Sequence, residues 1–409
     1  MNVSPDFSPP LRLIAPYFVI ATLFYTVSMG MLFGLNPSMS IHDFRVVGWV
    51  HTYMIGFVMM VMIGAMGQLS VVIAEVHHKH KNIFGWIWPL LSIGTIVLVN
   101  GFYTQPLFLV VGGGLILLAL GLFALNLFIT LMGARRKTDV TGAMKWSNLF
   151  LLAGLFIGLL MALGYAGVLE TNPSGLVTGH VFAIFGGYVL LSIMGVSTVL
   201  LPMFGACKRP SDNEYRISFY AMALSAALGV VGILVEQEGI REAALLIAVG
   251  ALGYYVFSMV RLFTSKPRRY ADIWERSVVV AVIMLILSMG LGVSGYFMEN
   301  ERWVMMGFWL LMGGFFGFLI GGHLYKIVPF LVWFERFAPY IDERDVPMLH
   351  QLLPEKWAKV QWLLALCGVT IGTAAIGFEN TPLLYVGSLF MIVSGGVLIG
   401  VVLKVLRYR

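Results

Sequence analysis

The chain has 409 residues, of which 59% are hydrophobic and 11% charged, with a formal net charge of +6. A soluble domain carries roughly 25% charged residues, so a water-soluble fold is excluded and the bilayer is the solvent. Lipid cannot hydrogen-bond a bare backbone, which leaves helices or a closed barrel. Apolar runs of about twenty residues, long enough to cross about 30 Å at 1.5 Å per residue, select helices over barrel strands.

In chain order the predicted spans cover roughly 12–35, 46–75, 83–104, 106–133, 146–170, 175–206, 215–236, 241–264, 277–298, 303–332, 359–378 and 381–406. The expected fold class is therefore all-α, a polytopic membrane protein of twelve transmembrane helices forming a single integral membrane domain. The longest connection, about 333–358, is expected to be a surface helix plus a turn. Two cysteines, Cys207 and Cys367, define no disulfide framework. No cleavable signal peptide is evident, since the first apolar stretch is full length and lacks a basic start.

The basic residues divide by side. Lys79, Lys81, Arg135, Arg136, Lys137, Lys145, Lys208, Arg209, Arg216, Lys266, Arg268, Arg269, Arg276, Lys404, Arg407 and Arg409 fall on one side, and Arg45, Arg241 and Arg302 on the other. Cytoplasmic loops collect Lys and Arg, so the expectation is a multi-pass protein of the bacterial inner membrane with both termini cytoplasmic. The charge is thereby explained by topology, and no nucleic-acid partner is expected. The outer loops are short and acidic, with Asp43, Glu170, Glu236, Glu238, Glu242, Glu299, Glu301 and Glu379. Solvated loop charge accounts for them; so would a docking face for a basic periplasmic partner such as a cytochrome c or another respiratory subunit.

Three spans share a register. Span 2 reads His51-Thr-Tyr-Met54-Ile-Gly56-Phe57 and then Gly64. Span 6 reads Phe182-Ala-Ile-Phe185-Gly-Gly187-Tyr188 and then Gly195. Span 10 reads Trp309-Leu-Leu-Met312-Gly-Gly314-Phe315 and then Gly322. Seven residues on, Pro202 and Pro329 match, with Val71 in span 2. The offsets of 131 and 127 residues (51 to 182, 182 to 309) each cover four spans. The expected organisation is three pseudo-threefold arcs of four helices, about 12–133, 146–264 and 277–406, although glycines also recur at ordinary helix contacts.

Twelve spans in three arcs resemble the catalytic subunit of heme-copper oxidases, the superfamily of cytochrome oxidases and nitric oxide reductases. Span 2 carries the local likeness: His51 is followed by Phe57, Met59 and Gly67, as the heme-ligating His of that family's second helix is followed by Phe, Met and Gly. The usual Pro is Met62. The resemblance implies heme held by His51 on the outer half of the membrane, and electron transfer or nitric oxide or oxygen chemistry. The departures are specific. Span 10 has Trp309 where the family has a ligand, and its His323 lies near the opposite end. The copper ion of the family needs a His on helix six, which His180 offers, and a pair near helix seven, where 215–236 has none. No acidic or basic residue lies near the centre of any span, so the family's proton channels are not expected either.

His51 and His180 are thus the candidate cofactor and metal ligands, each about five residues, or roughly 8 Å, into an outward-starting span. Imidazole ligates heme iron and copper; it also simply hydrogen-bonds between helices. The second axial ligand is expected to be His180, a methionine such as Met305 or Met306, or absent. His42, Asp43 and Glu170 are outer-loop alternatives beside His51. His77, His78 and His80 with Lys79 and Lys81 read as an inner basic loop, and His350 carries no role. The twenty-four methionines are apolar filler or, less simply, a soft copper path.

Three readings follow: a heme-bearing oxidase-like protein, a heme or copper handling or transport protein on the same scaffold, and a metal-free transporter, for which Gln68, Asn100 and Asn126 are the polar candidates. Reporter fusions after Arg136 and after Arg409 should both give a cytoplasmic signal; a periplasmic signal at either position rejects the topology.

Overall fold

The computed structural model describes residues 7–135, 137–205, 207, 212–235, 237–264 and 271–408. Arg136, Lys208, Arg209, Glu236, Lys266, Arg268, Arg269 and Arg409, counted above by side, lie outside the described residues. Among the described residues there are twelve helical stretches long and apolar enough to cross a membrane: α1 Leu11–Gly34, α2 Phe44–Ala74, α3 Lys81–Tyr103, α4 Leu107–Met132, α5 Asp139–Tyr165, α6 Pro173–Gly205, α7 Asn213–Ile233, α8 Gly239–Thr264, α9 Ile273–Phe297, α10 Glu301–Arg336, α11 Glu355–Gly377 and α12 Thr381–Leu406. The described residues contain no strand. The protein is an all-α polytopic membrane protein, and its surroundings are lipid.

Two compact units make up the chain, Met1–Pro9 with Gly67–Tyr270 and Pro10–Met66 with Ala271–Arg409. In the first, each helix from α3 to α8 packs on the next in sequence. In the second, α1 packs on the first part of α2 and on α12, α9 on α10, and α11 on α12. This second unit is latched at one end. The Leu11 N–H donates to Glu335 Oε2 at 2.5 Å, and Arg336 Nη1 donates to the Tyr408 carbonyl at 2.5 Å.

Helix ends follow from the caps. Asp43, Asn172, Asn300 and Asn380 stand before α2, α6, α10 and α12, and each side chain accepts from a backbone N–H of the first turn. That satisfies one of the donors a helix start leaves unpaired. Two connections repeat one device. Glu299 and Glu379 take positive φ (52° and 50°) to close α9 and α11, and the next residue, Asn300 or Asn380, opens the following helix. The expected surface helix within 333–358 does not form. Instead α10 runs on to Arg336, and the connection holds two short 3₁₀ turns, Ala338–Tyr340 and Leu349–Leu352. Pro339, Pro347 and Pro354 interrupt any longer helix there. Trp333 Nε1 donates to the Pro347 carbonyl at 2.7 Å and ties the segment down.

The register shared by spans 2, 6 and 10 has a structural counterpart that recurs three times. Each helix contains a π-helical segment: Met54–Met59 in α2, Phe182–Leu190 in α6 and Leu310–Phe316 in α10. Each segment contains the first glycine of the register, Gly56, Gly187 or Gly314. A Cβ on that glycine would run into Phe24 of α1, Phe150 of α5 or Met284 of α9. A Cβ on the second glycine, Gly64, Gly195 or Gly322, would lie 3.0 Å from Tyr17, 2.7 Å from Ala143 or 2.6 Å from Ser277. The partners Tyr17 and Phe24, Ala143 and Phe150, Ser277 and Met284 are seven residues apart in every case. Small residues permit this close backbone approach.

These contacts set a test. Gly187→Ala should lower the thermal unfolding midpoint in detergent, because overpacking costs about 1–3 kcal/mol. Gly114→Ala, whose added Cβ meets nothing within 4 Å, should not. Adding Phe150→Ala to Gly187→Ala should recover part of the loss. Equal effects at Gly187 and Gly114 would remove the close approach as the reason for the glycine.

Candidate functional site

The two candidate histidines hold the same position within their own helices. Each lies seven residues beyond the first residue of its helix, Phe44 or Pro173, and eight beyond its capping residue, Asp43 or Asn172. Seven residues of α-helix rise about 10 Å. Each is followed within three residues by the π segment of its helix. π segments often mark functional positions, because the widened turn re-aims the side chains around it.

His51 belongs to the second unit. Its Nδ1 meets the Val47 carbonyl at 2.8 Å, one turn back in α2. A carbonyl only accepts, so Nδ1 carries the proton and the lone pair of the neutral ring sits on Nε2. His180 belongs to the first unit. Its Nδ1 meets the Gly154 carbonyl of α5 at 2.8 Å, which fixes the same tautomer. The ring lies over Gly158, where a Cβ would come within 2.9 Å of Cε1. Metal-ligating histidines have the same tautomer, with one ring N–H held by a backbone carbonyl or a carboxylate.

The histidines match in depth but not in register. By the glycine register His51 corresponds to Phe182, and His180 corresponds to Trp49. Two residues along a helix turn a side chain by about 200°. His180 therefore points onto α5, whereas His51 lies on the face of α2 opposite Trp49.

Trp49 and its neighbours occupy the α2–α10 interface, where the resemblance implies a heme. Trp49 stacks on Trp309 with ring centroids 6.0 Å apart and planes at 21°. Trp309 Nε1 donates to the Val369 carbonyl of α11 at 3.0 Å. The Tyr53 hydroxyl donates to the Met312 carbonyl, inside the π segment of α10, at 2.9 Å. Trp49, Tyr53, Trp309 and Met312 are all buried. The donor chemistry at His51 fits one axial imidazole of a heme. The α2–α10 interface does not fit a heme ligated from both helices, because aromatic side chains fill it and Trp309 offers no lone pair.

The remaining candidates are spent elsewhere. Asp43 caps α2 and pairs with Arg45. Met306 packs on Gly377 of α11, whose added Cβ would lie 3.7 Å from Sδ. His323 Nδ1 meets the Leu319 carbonyl at 2.7 Å, and its ring stands edge-on to Trp274. Among the described residues, no three of His, Cys, Asp and Glu gather closely enough to hold a metal ion. The sequence reading passed over the Gly154 and Gly158 seat of His180. It also passed over the Asx residue eight positions before each histidine, a signal present in the sequence.

No protein-family model matches this chain, and no curated protein matches it.

Gly158→Ala should push the His180 ring away and lengthen or break its bond to Gly154. Nitrogen NMR of histidine-labelled protein should show the His180 Nδ1 resonance moving while that of His323 stays. An unmoved His180 resonance would show that the ring has room to spare.

Proposed function

We propose that this chain is a divergent relative of the heme-copper oxidase catalytic subunit that binds heme through His51 and serves electron transfer or nitric oxide or oxygen chemistry. The observation that carries the reading is the imidazole of His51, held at Nδ1 by Val47 with its lone pair on Nε2, immediately ahead of a π segment. Bound heme would supply one-electron redox chemistry, or an open iron position for a diatomic gas. His51 would hold and orient it. His180 offers a second imidazole of the same tautomer, for heme or, in the weaker case, for copper. The copper site and proton channels of the family have no counterpart in this reading.

The setting proposed is the bacterial inner membrane, with both termini in the cytoplasm and the histidine-bearing helix starts on the periplasmic side. The asymmetry of Lys and Arg supports it. A periplasmic cytochrome c or another respiratory subunit would then meet the acidic outer loops. Handling or transport of heme or copper without turnover uses the same imidazoles, and it would show as metal release where the first reading shows turnover.

The visible spectrum of protein purified from heme-replete cells is the test. Wild type should show a Soret band. His51→Ala should lose heme or change its spectrum, and His350→Ala, altered in an exposed 3₁₀ turn, should leave it intact. Undiminished heme in His51→Ala refutes the ligand. Well-folded wild type without heme removes the whole reading in favour of a metal-free transporter.

A further inference from the structure

The basic connection between α2 and α3 contains one residue that behaves unlike its neighbours. His77, Lys79, His80 and Lys81 are exposed, whereas His78 points inward and is 8% exposed. Its Nε2 meets the Gly67 carbonyl of α2 at 2.6 Å, and its ring stands edge-on to Phe84 at 4.9 Å. The carbonyl fixes the proton on Nε2, so Nδ1 carries the lone pair, and Nδ1 is buried with no hydrogen-bond partner. The residues that follow are strapped to α4. The Lys79 N–H donates to Thr130 Oγ1 at 3.3 Å, and the His80 N–H donates to Asn126 Oδ1 at 3.2 Å. Asn126 and Thr130 are themselves buried. All these residues belong to the first unit.

We propose that residues 75–81 form an acid-sensitive strap, in which the neutral imidazole of His78 plugs the basic end of the first unit and protonation of that ring releases it. The physical case is one of satisfaction. A second proton would make Nδ1 a buried donor without an acceptor, and would place a full charge on a buried ring beside a carbonyl and an aromatic edge. The groups on the elements packed around the ring are as follows. The strap contributes His77, Lys79, His80 and Lys81, and Arg135 after α4 joins the Ala74 carbonyl through its N–H. From α4 come Asn126 and Thr130, from α3 Phe84, and from the amino-terminal arm Phe7, whose ring lies 4.8 Å from that of His77, and Ser8, which accepts from Gln68. Glu75, at φ 50° where α2 ends, is the carboxylate among these described residues.

Burial accordingly pushes the His78 pKa down from its ordinary value, against the opposing bond to Gly67. The sign follows. The docked ring binds protons more weakly than the released ring, whose pKa is about 6.5. Docking is therefore fully favoured above that value and is lost as pH falls below it, by up to about tenfold in the docking constant per pH unit, until the docked ring itself titrates. Release would also break the strap's bonds to Thr130 and Asn126, whose Nδ2 is itself buried without a partner. On the topology proposed above, the strap faces the cytoplasm and reads cytoplasmic acidification. The switch itself does not depend on orientation, so a failed topology and a failed switch are separable.

The experiment places a nitroxide at Lys81→Cys, with Cys207→Ser and Cys367→Ser, in the full chain in detergent. The immobile fraction of the spin label should fall as pH is lowered from about 7.5 to about 5, with a midpoint below the ordinary histidine value of about 6.5. His78→Phe, which can fill the slot against Phe84 without titrating, should stay immobile across the range. His77→Phe and His80→Phe should still respond. A label whose mobility is flat with pH in the His78-containing protein overturns the proposal. So does a pH transition that survives in His78→Phe.

Discussion

A bilayer offers the backbone no hydrogen bonds, and the rest of this molecule is organised around that shortage. Every N–H and C=O within the apolar layer must find a partner in the chain. Helices solve this along most of their length, and four internal prolines (Pro16, Pro89, Pro202 and Pro329) are borne at isolated points. The π segments are where the solution is locally reworked. In α10 the Met312 carbonyl accepts a π-type bond from the Gly317 N–H and a second bond from the Tyr53 hydroxyl of α2. One carbonyl thus uses both lone pairs, and a side chain from another helix becomes part of the backbone accounting.

The same shortage explains why glycine, which is poor in soluble helices, is concentrated at the contacts that hold α2, α6 and α10. Helices in lipid gain no hydrophobic driving force from meeting one another, so association relies on close packing. At Gly56 and Gly187 an aromatic ring lies where a Cβ would be, and at Gly314 the Met284 stem does. A π segment at each of these points changes the side-chain phase of the helix, so the residues before it and those after it need not face the same neighbour. That separation lets a packed glycine seam and a histidine with a different orientation share one helix.

Much of this was legible in the sequence because lipid makes the rules coarse. The twelve spans needed only apolar length; their predicted bounds differ from the observed ones by up to four residues, except in α5, which begins seven residues earlier and ends five earlier than expected. The glycine register needed only alignment, and the seven-residue spacing of its partners is the geometry behind it. The π segments were not legible, since no residue type encodes them and glycine suits many backbone states. The surface helix expected within 333–358 failed on prolines that were in plain view, so the error lay in weighing charge above chain-breaking residues. At the site, His51 and His180 could be singled out by depth. Their orientations could not, because the two-residue difference in register that turns them about 200° apart emerges only when caps and glycines are read together.

The α2–α10 interface is held by aromatic packing and by side-chain hydrogen bonds to the backbone together. Trp309 does more than fill the space between the helices. The indole donates to Val369, stacks on Trp49, and rests against Gly372, where a Cβ would meet its Nε1 at 3.0 Å. Aromatic pairs of this kind contribute about 0.5–1.5 kcal/mol beyond the area they bury. The cluster therefore stabilises the second unit in its own right, and reopening the interface would require losing it. The proposed ligand His51 lies two residues from Trp49, on the opposite face of α2, so the aromatic cluster and the proposed site do not compete for one face of the helix.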